Sequence, residues 1–319
     1  CCGGRPPPPA GLWRRRTSNC STPGRRRAVV LAGALFLALS MTLVGLNVPV
    51  AKLLAESLPI PLIAGLRCLI ACAVLLPLLR AAGLSPRLPE PRLAWNLALQ
   101  AAFGTVLYNL ALLAGLRLTS ALEGGLLLAT LPAMVAIGGA IWLREALAPR
   151  VWAAVGLAAL GMGALTLAAA GGGEGSLVGN GLVLAAVAGE AAYVLLAKRA
   201  AGRMPVLLAT FWMQVFSALM LLPVWLPLIG GAAALAEPQV SGLLVFHALT
   251  ASVLCVVLWY AGLERVPAGI AGVFTLFLPA TASAVAVGLL GEVFTLAHAA
   301  GFALMLGSIA LATWPGRRG

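Results

Sequence analysis

An all-α membrane protein of ten transmembrane helices, arranged as two inverted five-helix repeats, is the fold this sequence predicts, and three observations predict it. Of the 319 residues, 61% are hydrophobic and only 9% charged, where a soluble domain carries about a quarter charged residues. Apolar stretches of about 20 residues follow one another along the chain, each long enough to cross roughly 30 Å of hydrocarbon as a helix. Finally, the stretch at 115–145, GLRLTSALEGGLLLATLPAMVAIGGAIWLRE, returns 147 positions downstream at 262–292 as GLERVPAGIAGVFTLFLPATASAVAVGLLGE.

The two stretches agree at nine positions without gaps. Leu, Ala and Gly coincide easily in such a composition, so the weight falls on the mid-helix prolines Pro132 and Pro279 and on the terminal glutamates Glu145 and Glu292. The parts before them repeat at an offset of 146, with Lys52/Lys198, Pro59/Pro205 and Pro77/Pro223 in register. A period this long is unsuited to a solenoid and suits a duplicated membrane bundle.

Residues 1–28 hold seven arginines, no acidic residue and a run of four prolines, so they cannot bury a core and are expected to be a disordered basic tail. Such a segment beside a first span suits the anionic cytoplasmic membrane surface better than nucleic acid. The chain opens on Cys and not Met, so this tail is not taken as the true N-terminus. The first repeat is expected at 29–169, with spans at 29–51, 57–79, 94–114, 121–142 and 150–169. The second is expected at 178–314, with spans at 178–199, 205–229, 240–262, 267–289 and 294–314. Pro59 and Pro61, SPRLPEPR at 85–92, GGGEGS at 171–176 and AEPQ at 236–239 mark the connections. In hydrocarbon every backbone N–H and C=O must pair within its own segment, which makes these spans helices.

With the N-terminus inside, 18 of the 21 cationic residues fall in cytoplasmic segments; Lys52 and Arg117 lie on the other side and Arg67 within a span. This asymmetry places both termini in the cytoplasm. An odd number of spans per repeat then makes the second repeat enter the membrane upside down, which provides two related states open to opposite sides of a site between the repeats.

Several chemistries are absent. All nine acidic residues are glutamates, and the only lysines, Lys52 and Lys198, lack the preceding glycines of a phosphate-binding loop, so no ATPase is expected. Two histidines without cysteine or carboxylate clusters make no metal site, and no cofactor is expected. The six cysteines fall in apolar spans or in the tail and imply no disulfide framework. A lipid anchor at Cys1 or Cys2 is not expected, because no signal-peptide core precedes them.

A charge at the bilayer centre costs about 2.5–3.5 kcal/mol, so each should line a cavity or find a partner. Arg67, mid-way along the second span, reads as an anchor for a carboxylate or phosphate, or else as half of a structural ion pair. Glu190, in the sixth span, is the candidate for proton coupling or for binding a cation; the alternative is a static salt bridge, with Arg67 as one partner for it. Glu123, near the outer end of the fourth span, is a weaker coupling candidate, since an acidic side chain there also complements the helix dipole. Asn47, Tyr193, Trp212, Gln214 and Tyr260 complete the candidate substrate site. Tyr193 occupies the position matching Asn47, and Trp212 neighbours the one matching Arg67. His247 is either a relay group or a hydrogen-bonded packing residue. Pro132 and Pro279 each remove a helical hydrogen bond mid-span, as a paired hinge or as static kinks.

The stretches GLNVPVAK (45–52), GLRCLIA (65–71), LTSALEGGLLLATLPAMVAIGGAIWLREAL (118–147) and VPAGIAGVFTLFLPATASAVAVGLLGE (266–292) resemble the ten-span EamA-type branch of the drug/metabolite transporter superfamily. The resemblance covers 29–314 and implies gradient-driven transport of a small metabolite or drug through a central cavity, commonly as export across the bacterial inner membrane. Glu190 departs from the family pattern, which often has an aromatic residue there. The expected function is therefore a secondary transporter that moves its solute outward by alternating access, by proton antiport or facilitated diffusion. Its rivals are a membrane enzyme of lipid metabolism and a non-transporting scaffold or channel. The expected partners are a small-molecule substrate and the lipid bilayer, with a homodimer left open and no nucleic acid.

Overall fold

The computed structural model describes residues 23–118, 127–128, 130–169, 176–278, 280–281, 284–285 and 296–313. The described residues are helical and turn, with no strand among them. Helix α1 spans Pro23–Ser57, α2 Ile60–Ala81, α3 Pro91–Ala101, α4 Tyr108–Leu118, α5 Leu131–Trp142 and α6 Pro149–Ala169. They are followed by α7 at Leu177–Ala200, α8 Val206–Trp225, α9 Pro238–His247, α10 Cys255–Leu263, α11 Ala268–Phe274 and α12 Leu296–Thr313. Proline starts α1, α3, α6 and α9, where its missing N–H is not needed, and Pro59, Pro205 and Pro267 immediately precede α2, α8 and α11. Ser176 caps α7 by accepting from the Gly179 N–H.

Helix lies in each of the ten expected runs. Among the described residues, five helical runs are long and apolar enough to cross a membrane by themselves: Ala28–Ser57, Ile60–Ala81, Leu177–Ala200, Val206–Ala236 and Pro238–Leu263. Leu31, Leu35 and Leu39 form an exposed stripe at helical spacing on α1, and Ile141, Leu160, Leu219 and Leu306 are exposed elsewhere; bulky apolar surface of this kind is what a bilayer covers. Two boundaries differ from expectation. Helix α1 begins before residue 29, inside the expected tail, and a 3-10 helix over Leu226–Ala236 carries the chain past 229, the expected end of the seventh span, into the connection.

Two features were not anticipated. Between α3 and α4 the helix widens into a π-helical stretch at Ala102–Leu107, and between α9 and α10 it does so again at Ala248–Leu254. The two lie at matching places in the two halves. The fourth and ninth runs are also interrupted ahead of their prolines. A turn at Thr130 precedes α5, which puts Pro132 in that helix's first turn and not in mid-helix, while α11 ends at Phe274, before the turn at Thr275 and Leu276. Pro279 lies outside the described residues.

The packing pairs one half with the other. Helix α2 lies on α8, α5 on α11 and α6 on α12, each pair joining equivalent helices of the two halves; α4 lies on α7 as α1 lies on α10. Glycine makes the last two contacts close. A Cβ on Gly262 would stand 3.1 Å from the Gly33 carbonyl oxygen, and one on Gly115 2.9 Å from that of Gly179. Gly33 and Gly179 are 146 apart and Gly115 and Gly262 are 147 apart, so one crossing is the repeat of the other. The main core, with Leu37, Val135, Val194, Leu195, Trp259, Leu263 and Phe274, draws on both halves.

Candidate functional site

At each π-helical stretch a side-chain amide donates to a backbone carbonyl. Asn109 Nδ2 donates to the Thr105 carbonyl at 2.6 Å, and Gln214 Nε2 donates to the Ser252 carbonyl at 2.6 Å. Thr105 and Ser252 are repeat mates, 147 apart. Thr105 Oγ1 also lies 3.1 Å from Ser217 Oγ, tying the first stretch to α8.

Each π-helical stretch has one intramembrane charge beside it. Arg67 on α2 lies where its charge is felt at His247 and Cys255, the residues flanking Ala248–Leu254. Glu190 on α7 acts on Tyr108, the residue that follows Ala102–Leu107, and on Tyr193. Gly189, next to Glu190, sits close under this stretch: a Cβ there would be 3.1 Å from the Phe103 carbonyl oxygen. Arg67 and Glu190 are both half-buried, and neither makes a hydrogen bond or ion pair among the described residues. The expected alternative of a salt bridge between them is therefore corrected. They belong to separate groups because α2 packs against the second π-helical stretch and α7 against the first.

Polar side chains fill the space between. Asn47 Oδ1, which can only accept, takes hydrogen bonds from His247 Nδ1 at 2.9 Å and from Thr250 Oγ1 at 3.0 Å. Ser40 Oγ donates to the Cys255 carbonyl at 2.9 Å. Tyr260 donates to Gln100 Oε1 at 2.6 Å, and Gln100 Nε2 donates to Asn96 Oδ1 at 2.7 Å. Tyr193 lies within electrostatic reach of Glu190, Tyr260 and Cys255, and so joins the acidic group to the basic one. Of the residues singled out in the sequence, Arg67, Asn47, Gln214 and His247 thus gather at one π-helical stretch, and Glu190 and Tyr193 at the other, with Tyr260 beside Tyr193.

Trp212 stands apart. Its indole Nε1 donates to the Arg87 carbonyl at 3.1 Å and its ring packs beside Phe211 and Phe216, which places it against the 82–90 loop. Neighbouring the register position of Arg67 turned it to another side of α8. Glu123 lies outside the described residues. Ser40, Thr105, Cys255, Gln100 and Asn96 were missed as site residues; Ser40 and Cys255 pair across 215 positions, and no local pattern announces that. Glu145, one of the terminal glutamates of the repeat, accepts from the Ala268 N–H with both oxygens, at 3.1 and 2.8 Å, across to the other half.

A recess of about 470 Å³ opens at one end of the bundle between the halves, lined by Ser85, Arg87, Glu90 and Arg92 on one side and Arg203, Met204 and Leu208 on the other. No group of three or more metal-ligating side chains occurs among the described residues.

The model of the EamA-like transporter family matches this chain twice, over residues 31–167 and 177–314. The chain belongs to the EamA-like transporter family. It is similar to the uncharacterized transporter YetK of Bacillus subtilis (strain 168), with 34% identity over 278 residues, covering 86% of this chain and 84% of that protein. A solved crystal structure of a protein superposes with a TM-score of 0.72 at 22% identity, over 91% of this chain and 99% of the other, which bears on the fold. As an EamA-like protein the chain is a membrane transporter, and its two family matches meet at the connection before α7. The paired π-helical stretches, with Arg67 and Glu190 beside them, are this family member's candidate site.

Proposed function

We propose that the protein is a secondary transporter that exports a small organic metabolite or drug across the bacterial inner membrane by alternating access, driven by a gradient and coupled to protons through Glu190. The observation that carries this reading is the pair of oppositely charged side chains, Arg67 and Glu190, each without a partner among the described residues and each beside one of two equivalent π-helical stretches. A structural bundle has no use for either charge, since each is costly in a membrane without a partner. A solute that passes between the halves gives both a use: the Arg67 fork holds a carboxylate or phosphate, and Glu190 exchanges a proton or holds a cationic group.

The contacts between equivalent helices support an inverted arrangement of ten spans. Three pairs of repeat mates meet each other, and the contacts of α1 with α10 and of α4 with α7 are copies of one another, as a two-fold axis between the halves requires. Five spans per half place that axis in the membrane plane, with both termini in the cytoplasm by the charge asymmetry. The interruptions ahead of Pro132 and of the position of Pro279 support a paired hinge beside this axis.

The test is transport of a labelled solute by purified protein in liposomes under an imposed pH gradient. Wild-type protein is expected to move solute faster with the gradient than without it, and Glu190→Gln to lose that acceleration. A gradient response that survives Glu190→Gln removes Glu190 from the coupling.

A further inference from the structure

We propose that the recess between the halves is a binding site for a phosphate group, carried by a soluble metabolite or by a phospholipid headgroup, and that Arg87, Arg92 and Arg203 hold it. The site is separate from Arg67 and Glu190, and it stands whether or not the chain carries solute.

Backbone geometry fixes the walls. At the end of α2 the N–H groups of Gly83 and Leu84 donate to the Arg80 and Leu79 carbonyls, at 3.0 and 2.8 Å, with Gly83 at φ 69°. Trp212 Nε1 then ties the loop to α8 through the Arg87 carbonyl, and Pro86, Pro89 and Pro91 stiffen it. On the other side Gly202, at φ 71°, follows the end of α7, and the Arg203 N–H donates to the Ala200 carbonyl at 3.1 Å. The two connections set Arg87 and Arg92 of one half and Arg203 of the other around about 470 Å³, room for a small organic phosphate. Three guanidiniums stand there with one carboxylate, that of Glu90, and none of the four groups makes a hydrogen bond or ion pair among the described residues. A cleft lined mostly by one sign of charge draws the opposite ion, and each planar guanidinium fork matches two oxygens of a phosphate. A phosphate has oxygens enough for more than one fork, where a carboxylate has two.

The repeat separates what the fold needs here from what it does not. Leu88, Glu90 and Pro91 have identical mates at an offset of 147, Leu235, Glu237 and Pro238. The arginines do not: Arg87 is matched by Ala234 and Arg92 by Gln239 at the same offset, and Arg203 by Ser57 at 146. Around those mates the contacts are apolar. Ala232 and Ala234 pack onto a core with Leu54, Leu58 and Val240, and a Cβ on Gly231 would lie 3.3 Å from the Pro59 ring. The loop thus forms without arginine. Membrane orientation does not call for their convergence either, since Arg80, exposed at the end of α2 and outside the recess lining, answers that rule equally well. Trp95, 67% exposed one turn on from Arg92, suits the headgroup layer, which brings a phospholipid phosphate within reach.

Two binding measurements on the full chain test the site. One is equilibrium binding of labelled pyrophosphate in phosphatidylcholine nanodiscs. The other is native mass spectrometry of the phosphatidylglycerol that the protein retains from nanodiscs of phosphatidylcholine and phosphatidylglycerol. Saturable binding of at least one of the two is expected, with Arg87→Gln and Arg203→Gln each weakening it about tenfold or more, the loss of a charge-assisted hydrogen bond, and Arg80→Gln leaving it unchanged. Where a glutamine variant does not fold, as judged by gel filtration, Arg203→Lys serves, with a smaller loss in the same direction because the charge stays and the fork goes. Arginine-dependent binding of pyrophosphate alone supports the site and assigns a soluble source; arginine-dependent retention of phosphatidylglycerol, alone or with it, supports the site and assigns the headgroup. Absence of both, or a loss with Arg80→Gln equal to that with Arg203→Gln, as diffuse surface charge would give, overturns the site.

Discussion

Arg67 and Glu190 differ in what each can do for a solute, and substitution separates the two. A guanidinium offers two parallel donors to a carboxylate or phosphate, whereas an ammonium offers a point charge, so Arg67→Lys is expected to raise KM about tenfold and Arg67→Gln more, with the protein still folded. Titration of transport rate against solute concentration in liposomes checks this; an unchanged KM for both variants takes Arg67 out of the binding site. Arg144 allows a cleaner test, since its left-handed backbone conformation carries a cost of about 1 kcal/mol that glycine does not share. Arg144→Gly is expected to raise the Tm by about 1–3 °C in detergent. At this scale the sequence was legible where a polar residue interrupts an apolar stretch: Asn47, Gln214 and Tyr260 stood out in that way, and all three are buried in the structure. Partners were not legible. The hydrogen bond of Tyr260 to Gln100 spans 160 positions, and Trp212 lies against the 82–90 loop because a one-residue step on a helix turns a side chain by about 100°.

Among the elements, the crossings of α1 with α10 and of α4 with α7 are set by glycine. A side chain at Gly262 would drive into Leu37, 2.6 Å from its Cγ, and one at Gly115 into Val183 at 2.7 Å. Gly262→Leu and Gly115→Leu are each expected to cost about 1–3 kcal/mol in unfolding free energy, as overpacked sites do, while Gly181→Leu, with nothing within 4 Å of its Cβ, is expected to be neutral. Denaturant titration in mild detergent reads the difference, and equal stability of all three would contradict the close packing. The helical runs were legible from apolar length and from proline and glycine punctuation. The π-helical stretches were not, because widening by one residue leaves hydrophobic periodicity almost intact. Their trace in the sequence is a polar residue at matching positions, Thr105 and Ser252, with Thr250 beside it in the second stretch.

For the whole molecule, the repeat was readable because duplication leaves identical residues at a constant offset, and membership of the EamA-like transporter family follows from both copies matching its model. What the repeat does not reveal is how closely the halves meet. The described structure brings equivalent helices together at α2 with α8, α5 with α11 and α6 with α12, and it places a recess between the halves at the 85–93 and 203–208 loops, away from Arg67 and Glu190. The account depends on the halves being oppositely oriented in the bilayer. Ser57 and Arg203 test that orientation directly: they are repeat mates at an offset of 146, both exposed, Ser57 at the end of α1 and Arg203 just after α7. In a variant whose native cysteines are replaced, Ser57→Cys and Arg203→Cys are introduced singly and exposed to a membrane-impermeant thiol reagent on intact cells and on inverted vesicles. Labelling of Ser57→Cys from outside alone and of Arg203→Cys from the cytoplasmic side alone is the predicted result; labelling of both from the same side would contradict the account.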